Sequence, residues 1–404
     1  MKQIFVPDAE SFPTTADVVV IGGGIVGVAT AYWLSKAGLQ TVLVEAREGL
    51  STLTTTLSIE SFRSQFTEPA MAELALPSIS FYEEFADRLG LPDVDIALQH
   101  QGYLFVSDDP EMKPKLQAAV EQHHRLGATE SEYLEQADIQ ARFPYIGEGM
   151  LAGTFSRRDG WLSAHEATQG FAKASSAQFL LQTRVLDITT DAQGVSGVVT
   201  DCGTISTRQV VNAAGPFAPA VGRMVGLDLP LEPVRRQKVH VTPRPEIPQE
   251  APLCIDISRE VYWRPSHGGA LMAWVDPGEP PQPEPVETVP TDWDFPAIVL
   301  DRIVHLSPFW GDLAESFKAK DLQLSAGYYV YTPDDQPLLG PVEEVPGFHL
   351  NCGYWAGVML SPEAGRRVTA LITGEMDQKD NPLRLSRFEE GLVTQGDSFL
   401  RGRN

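Results

Sequence analysis

The residues best suited to chemistry in this chain are three glycines and one acid. Gly22-Gly23-Gly24-Ile25-Val26-Gly27 follows directly on the apolar run Val18-Val19-Val20-Ile21, and Glu45 stands 18 residues after Gly27. A Gly-x-Gly-x-x-Gly turn at that point suits a dinucleotide pyrophosphate. Gly22 permits the tight turn, Gly24 leaves the backbone open to phosphate, and Gly27 lets the following helix pack on the strand. The helix start then offers free N–H groups and partial positive charge to the phosphates. Glu45 is placed to accept hydrogen bonds from ribose hydroxyls. A glycine-rich turn alone would be a weak signal, but strand, turn, helix, strand and acid in register make a specific one. The unit by itself suits FAD and NAD equally.

The elements that must hold these residues are legible around them. Val28 to Ala37 reads as a helix stopped by Gly38, and Thr41-Val42-Leu43-Val44 as a second buried strand. Helical spacing recurs over residues 68–89 and 113–126, with the strand Gly102-Tyr103-Leu104-Phe105-Val106 between them. After Asp159-Gly160 a further helix is expected, then strands at Phe179 to Leu181, Arg184 to Ile188, Val195 to Thr200 and Gln209 to Val211. The last runs into Asn212-Ala213-Ala214-Gly215-Pro216, small residues that allow a ligand or helix to approach closely. Gly278 to Pro290 is proline-rich and acidic and reads as an exposed loop. Ser361 and Pro362 have the types of an N-cap and first helical residue, which predicts a helix from there through Leu371.

Composition sets outer bounds. With 404 residues, 43% hydrophobic and 21% charged, the chain is globular and long enough for two intertwined domains or three. A net charge of −23 disfavours nucleic acid and anionic membrane surfaces as partners. Solubility explains that charge, and a basic electron carrier is the alternative. Cys202, Cys254 and Cys352 lack CxxC spacing, so no metal or iron–sulfur site and no disulfide framework is expected. Unpaired thiols, no apolar signal core near the N-terminus and no transmembrane-length apolar stretch lead to the expectation of a cytoplasmic protein.

Two C-terminal segments identify a family. Tyr331-Thr332-Pro333-Asp334-Asp335-Gln336-Pro337-Leu338-Leu339-Gly340-Pro341 precedes Gly353-Tyr354-Trp355-Ala356-Gly357-Val358-Met359-Leu360-Ser361-Pro362. Together with the glycine fingerprint and the Asn212–Pro216 strand end, these make the chain resemble the D-amino-acid oxidase / sarcosine oxidase / dimethylglycine dehydrogenase superfamily. The resemblance spans nearly the whole chain and selects FAD over NAD. It implies an α/β fold, with a Rossmann-type (glutathione-reductase-like) FAD-binding domain interwoven with an antiparallel-sheet α+β substrate domain. The FAD domain would take residues 1–64, 146–224 and 326–404, and the substrate domain residues 65–145 and 225–325. Carried over by motif, the FAD contacts would be Gly22, Gly24, Ile25, Val26, Gly27, Glu45, Ala46, Arg47, Thr55, Thr56, Val185, Ala213, Ala214, Gly215, Gly353, Tyr354, Ala356, Gly357, Val358 and Met359.

The departures from the family pattern are informative. Residues 47–61 hold no histidine and the family's cysteine position falls on Gly327, so FAD is expected to be non-covalent. The lysine that sarcosine-type oxidases hold over the flavin aligns with Met272, which favours a dehydrogenase feeding an electron carrier over an oxidase using oxygen. The turn at Trp355-Ala356-Gly357 is one residue shorter than its relatives'. A single fingerprint leaves no second site for NAD(P)H, so electrons should come from an organic substrate. The expected reaction is oxidation of the C–N bond of a small amine or amino acid (sarcosine-, proline- or D-amino-acid-like) by hydride transfer to flavin N5. The alternatives are a 2-hydroxy-acid dehydrogenase and a flavin-binding subunit of a larger dehydrogenase complex.

A substrate carboxylate would want a bidentate cation. The resemblance puts Arg63 first, with Arg235, Arg236 and Lys238 on a neighbouring strand. Alternation sends Arg236 and Lys238 to one face and Arg235 to the other. Each could equally be a structural or solvated charge. Tyr262, Tyr328, Tyr331, Tyr354 and Trp355 could surround an alkylated amine through cation–π contacts, and singly each could equally be core. His267 reads as a loop residue. The sequence leaves the oligomeric state open.

Overall fold

The short runs Val18–Ile21, Thr41–Val44 and Val210–Asn212 are buried at every position. Strands so apolar fit only the middle of a parallel sheet covered on both faces. In the computed structural model, which describes residues 3–393, they occupy that place. Residues 1–2 and 394–404, which the sequence assigned to the FAD domain, lie outside the described part. The sheet has seven strands in the order Ile4–Phe5, Gln178–Leu180, Thr41–Val44, Val18–Ile21, Val210–Asn212, Phe348–Cys352 and Leu338–Pro341. Only the last pair is antiparallel. The register sets Ile21 beside Val44 and Asn212, so Gly22, Glu45 and Ala213 leave the sheet at one edge.

Helix Ile25–Lys36 packs against this sheet and against helices Ala164–Ala174 and Gly357–Thr373. The approach to the last is close: a Cβ on Gly365 would lie 3.0 Å from the Ala29 carbonyl carbon and the Thr30 nitrogen. The C-terminal helix starts at Gly357, one turn before the sequence-based start at Ser361, and carries Pro362 inside it. Proline there removes the donor that would bond the carbonyl four residues earlier, at Val358. The Tyr82 hydroxyl donates to that carbonyl at 2.7 Å and the Ser361 hydroxyl at 3.3 Å. Tertiary partners thus satisfy what proline leaves open, and the helix N-terminus reaches the Gly353–Ala356 turn. The helical spacing over 68–89 resolves into two helices, Pro69–Glu83 and Phe85–Leu89.

The second sheet has eight strands in the order Leu322–Tyr331, Glu232–Val241, Gly269–Trp274, Val261–Ser266, Leu253–Asp256, Tyr103–Ser107, Ala152–Ser156 and Ser131–Glu135. All neighbours are antiparallel except the pair Leu253–Asp256 with Tyr103–Ser107. Ala152–Ser156 therefore sits in the substrate-side sheet, although the sequence placed residues from 146 onward in the FAD domain. Strand Leu322–Tyr331 likewise runs across the boundary drawn at 325/326. A small antiparallel sheet of Val185–Asp191, Gly194–Thr200 and Thr204–Ser206 and a two-stranded one of Ser61–Phe62 and Gly160–Trp161 accompany these.

Alternation gives the large sheet two distinct faces. Leu104, Val106, Val239, Cys254, Trp263 and Met272 pack in one apolar cluster with residues of helices Phe295–Leu306 and Phe309–Ala314. Tyr103, Phe105, Ile255, Tyr262, Ala273 and Val275 form the other face. This corrects the alignment that put the oxidase lysine at Met272. Met272 is wholly buried on the helix-covered face, and Ala273 holds the position on the opposite one.

Candidate active site

The two sheets meet across a cleft of about 1480 Å³, open mouth included. Its lining runs from the glycine turn to the tyrosines of the large sheet, an extent that suits an elongated cofactor with a substrate beside it. One end is the glycine turn. Gly22 has φ +112° and a Cβ there would lie 2.5 Å from the Ala213 carbonyl oxygen. A Cβ on Gly27 would come within 2.0 Å of the Gly22 carbonyl oxygen. Protein packing alone thus demands those two glycines. Gly24 differs: its Cβ would meet only Thr55 Oγ1, at 3.3 Å, and the space beyond belongs to the cleft. That opening at a helix N-terminus is the room a pyrophosphate needs.

Glu45 is anchored by backbone. Gly23 N–H donates to one carboxylate oxygen at 2.6 Å and Arg47 N–H to the other at 2.8 Å. Burial pushes its carboxyl pKa up, against the pull of those two hydrogen bonds and of the Arg47 charge. A carboxylate has capacity beyond two donors, so it can close the glycine turn and still accept ribose hydroxyls. The residues present therefore fit a dinucleotide.

The cleft is lined by most of the predicted cofactor set: Gly22, Gly24, Ile25, Val26, Glu45, Arg47, Thr55, Ala213, Ala214, Gly215, Tyr354, Ala356, Gly357, Val358 and Met359. Gly27, Ala46, Thr56, Val185 and Gly353 do not line it. Gly27 lies under the turn, and the Thr56 hydroxyl is spent on the Ser51 carbonyl at 2.8 Å. Val185 opens the small sheet opposite Thr200, and Gly353 supplies a φ of +80° ahead of the helix. Tyr262 and Trp355 also line the cleft.

The predicted cations do not reach its surface. Arg63 is 2% exposed, with its guanidinium 4.4 Å from the Phe66 ring centre, 5.2 Å from Phe105 and 5.5 Å from Trp355. It supports Trp355 from behind the wall. The Lys238 ammonium donates to the Thr56 and Ser58 carbonyls, pinning the loop that forms another wall. Burial lowers its pKa to about 8, with Glu60 opposing the shift and Arg264 adding to it. Arg235 pairs with Glu279 at 2.9 Å and Asp292 at 2.7 Å. Arg236 donates to the Asp276 carbonyl at 3.2 Å and the Tyr331 hydroxyl at 3.3 Å. His267 is exposed in a turn with φ +50°.

The structure adds cleft residues that the sequence reading missed: Glu60, Ser61, Tyr103, Ile255 and Tyr329. Tyr329 had a sequence signal in the repeated aromatics Tyr328-Tyr329-Val330-Tyr331, whereas Glu60 had none. The Tyr262 and Tyr329 hydroxyls are hydrogen-bonded to each other, and burial raises both phenol pKa values, as it does that of Tyr103. These tyrosines therefore stay neutral and offer ring faces and O–H groups, not bases.

The acidic segment, residues 278–290, is a mostly exposed loop as expected, and part of it also runs against residues of the cleft wall. Val286 N–H donates to the Tyr328 hydroxyl at 3.1 Å, the Glu287 carbonyl accepts from Arg47 at 3.0 Å, and the Glu287 carboxylate pairs with Arg184. Asp334 of the Thr-Pro-Asp segment faces Arg387 in a buried pair and does not line the cleft. Among the described residues, no group of three or more His, Cys, Asp or Glu side chains is placed to hold a metal ion. No helix among them is long and apolar enough to cross a membrane.

A parallel sheet with its glycine turn at a helix N-terminus, facing an antiparallel sheet across one cleft, defines a two-domain dinucleotide-dependent oxidoreductase architecture. The chain belongs to the DAO family of FAD dependent oxidoreductases, whose sequence profile matches residues 17–371. FAD is accordingly the cofactor of this chain. The chain is 27% identical over 390 residues to mitochondrial dimethylglycine dehydrogenase of Rattus norvegicus, covering 91% of this chain and 44% of that protein. It is 30% identical over 398 residues to mitochondrial sarcosine dehydrogenase of Homo sapiens, covering 94% of this chain and 42% of that protein. The chain thus spans less than half the length of these two dehydrogenases. L-proline dehydrogenase from P. horikoshii has a similar structure, with a TM-score of 0.81 at 26% identity, covering 94% of this chain and 99% of that one.

Proposed function

We propose that this chain is an FAD-dependent dehydrogenase that oxidises the C–N bond of a small amine or amino acid. The observation that carries the reading is the single cleft whose one end is the glycine fingerprint and whose other end is a tyrosine-walled chamber under the large sheet. The similarity to dehydrogenases of dimethylglycine, sarcosine and L-proline supports the C–N class. Bound in the cleft, FAD would supply a two-electron acceptor beside the substrate carbon.

The chain's own residues supply position and surroundings. Gly24, the helix start at Ile25 and Glu45 would hold the pyrophosphate and ribose. The N-terminus of helix Gly357–Thr373 opens on the cleft with Ala356, Gly357 and Val358 in its lining, where its partial positive charge would favour electron density on the ring system. Tyr103, Tyr262 and Tyr329 exclude water from the chamber and orient the substrate.

Attachment of FAD is non-covalent in this reading. Residue 327 is glycine, and burial pushes the thiol of Cys352, which lines the cleft, up to about 12, which keeps it protonated and unreactive. Electrons would leave to a carrier protein, since no lysine lines the cleft among the described residues. A cytoplasmic setting is part of the same proposal and rests on free Cys202, Cys254 and Cys352.

The test is an anaerobic visible spectrum of the purified protein mixed in turn with sarcosine, dimethylglycine, proline, D- and L-amino acids and 2-hydroxy acids. Bleaching by an amine class, with slow reoxidation in air and fast reoxidation by an artificial carrier, is expected. Bleaching only by 2-hydroxy acids would replace the C–N reading, and protein that takes up no FAD would overturn the proposal entirely.

A further inference from the structure

The chamber contains a charge that the reading above leaves without a role. Of the described residues lining the cleft, only Glu45, Arg47 and Glu60 are formally charged. Glu45 and Arg47 belong to the dinucleotide end, so Glu60 is the one ionic side chain at the sheet end. Among the described residues, no cation lines that end to meet a substrate carboxylate. Arg63 lies behind Trp355, Lys238 is committed to two backbone carbonyls, and Arg236 donates to Tyr331 and a backbone carbonyl.

Glu60 is held in place on several sides. Its backbone sits at φ +57°, a left-handed conformation that glutamate rarely adopts and that the surrounding structure must enforce. Its carbonyl accepts Leu162 N–H at 3.0 Å, and one carboxylate oxygen accepts Ala164 N–H, at the start of helix Ala164–Ala174, also at 3.0 Å. The other oxygen lies 3.9 Å from Arg264 Nη2, beyond a charge-assisted hydrogen bond. Arg264 spends Nε and Nη1 on the Ile59 and Pro265 carbonyls, so it is not held by Glu60 alone. The Glu60 side chain keeps 23% exposure, the mark of a group turned to the opening. Tyr103, Tyr262, Tyr329 and Tyr331 line the same chamber and offer ring faces that attract cations.

Resting on the proposed amine-oxidising function, we propose that Glu60 is the specificity-determining residue of the substrate chamber and recognises the substrate's positively charged nitrogen. The preferred substrate class is then a small secondary or tertiary amine, held as its ammonium ion and needing no carboxylate. Its N–H proton would pass to the Glu60 carboxylate, and the free amine would then give up hydride from the adjacent carbon to FAD and leave as the iminium.

The test uses the FAD-loaded protein and two unreactive probes at constant ionic strength, tetramethylammonium chloride and sodium acetate, read by perturbation of the flavin visible bands. Tetramethylammonium should give a saturable spectral change and acetate none. Glu60→Gln, which keeps an oxygen for Ala164 N–H, should weaken tetramethylammonium binding at least tenfold with FAD content and Tm unchanged. Saturable acetate binding without a tetramethylammonium response, silence with both probes, or unchanged affinity in Glu60→Gln would each overturn the proposal. The wild-type comparison of the two probes decides the matter even if the variant folds poorly. Because neither probe can be oxidised, these results are independent of whether amines bleach the flavin, which is what decides the parent reading.

Discussion

Removal of the Asp334 carboxylate should cost this protein far more than removal of an ordinary surface charge. Asp334 and Arg387 are 1% and 2% exposed, and the guanidinium grips the carboxylate twice, Nε to Oδ2 at 2.8 Å and Nη2 to Oδ1 at 2.9 Å. Thr332 Oγ1 and Gln336 N–H also donate to Oδ1, at 3.0 and 3.2 Å. The remaining guanidinium donors go to the carbonyls of Leu383, Arg384 and Gln336. Asp334→Ala would leave a buried cation without its anion and a buried backbone N–H without its acceptor. Breaking one side of such a pair costs about 3–5 kcal/mol. With about 2.1 cal/mol/K of unfolding entropy per residue, a chain of this length unfolding as one unit would lose about 4–6 °C in Tm. The assay is thermal unfolding of the FAD-loaded protein, with the visible spectrum as a check on the cleft, which Asp334 does not line. The double variant Asp334→Leu/Arg387→Met removes both charges and should recover most of the loss. A loss below about 1 kcal/mol in Asp334→Ala, or a double variant no more stable than the single one, would refute the reasoning.

Three further perturbations follow from the glycine turn and a buried carboxyl. Gly24→Ala should leave unfolding of the apoprotein within about 1 kcal/mol of wild type but weaken FAD retention tenfold or more, because its Cβ meets only Thr55 Oγ1, at 3.3 Å, and intrudes on the phosphate space. Gly27→Ala should destabilise the apoprotein itself, since its Cβ would lie 2.0 Å from the Gly22 carbonyl oxygen. Flavin fluorescence released on dilution, set against apoprotein Tm, separates the two effects, and equal Tm losses would contradict the distinction. Burial raises the Asp159 carboxyl from 3.8 to about 6, against hydrogen bonds from Ser64 and Gln65 that pull it down. The folded protein therefore binds more protons than the unfolded chain between those values, so stability should fall as pH rises through that window, by on the order of 2–3 kcal/mol. Urea midpoints measured from pH 4 to 7 should show that slope flattened in Asp159→Asn, and an unchanged slope would exonerate Asp159.

Much of the cofactor end was legible because each requirement there is local. A turn needs glycine within a few residues of its strand, and an acid at a fixed distance down the chain closes on that turn, as Glu45 does on Gly23 N–H. The start of the C-terminal helix was misread for the converse reason. Pro362 looks like a first helical residue in isolation, and it is Tyr82, 280 positions earlier in the chain, that with the neighbouring Ser361 makes it tolerable one turn inside.

The sequence by itself determined the dinucleotide fold, the family and the position of the glycine turn, because strand periodicity, turn chemistry and motif order are properties of neighbouring residues. Only the tertiary structure decided which face of the large sheet each residue joins. A shift of one residue along a strand exchanges the two faces, which is why Met272 fell to the helix side and Ala273 to the other. Tertiary packing likewise took Arg63 and Lys238 out of the chamber and left Glu60 in it, because side-chain exposure at a site built from distant segments depends on contacts that no stretch of sequence contains.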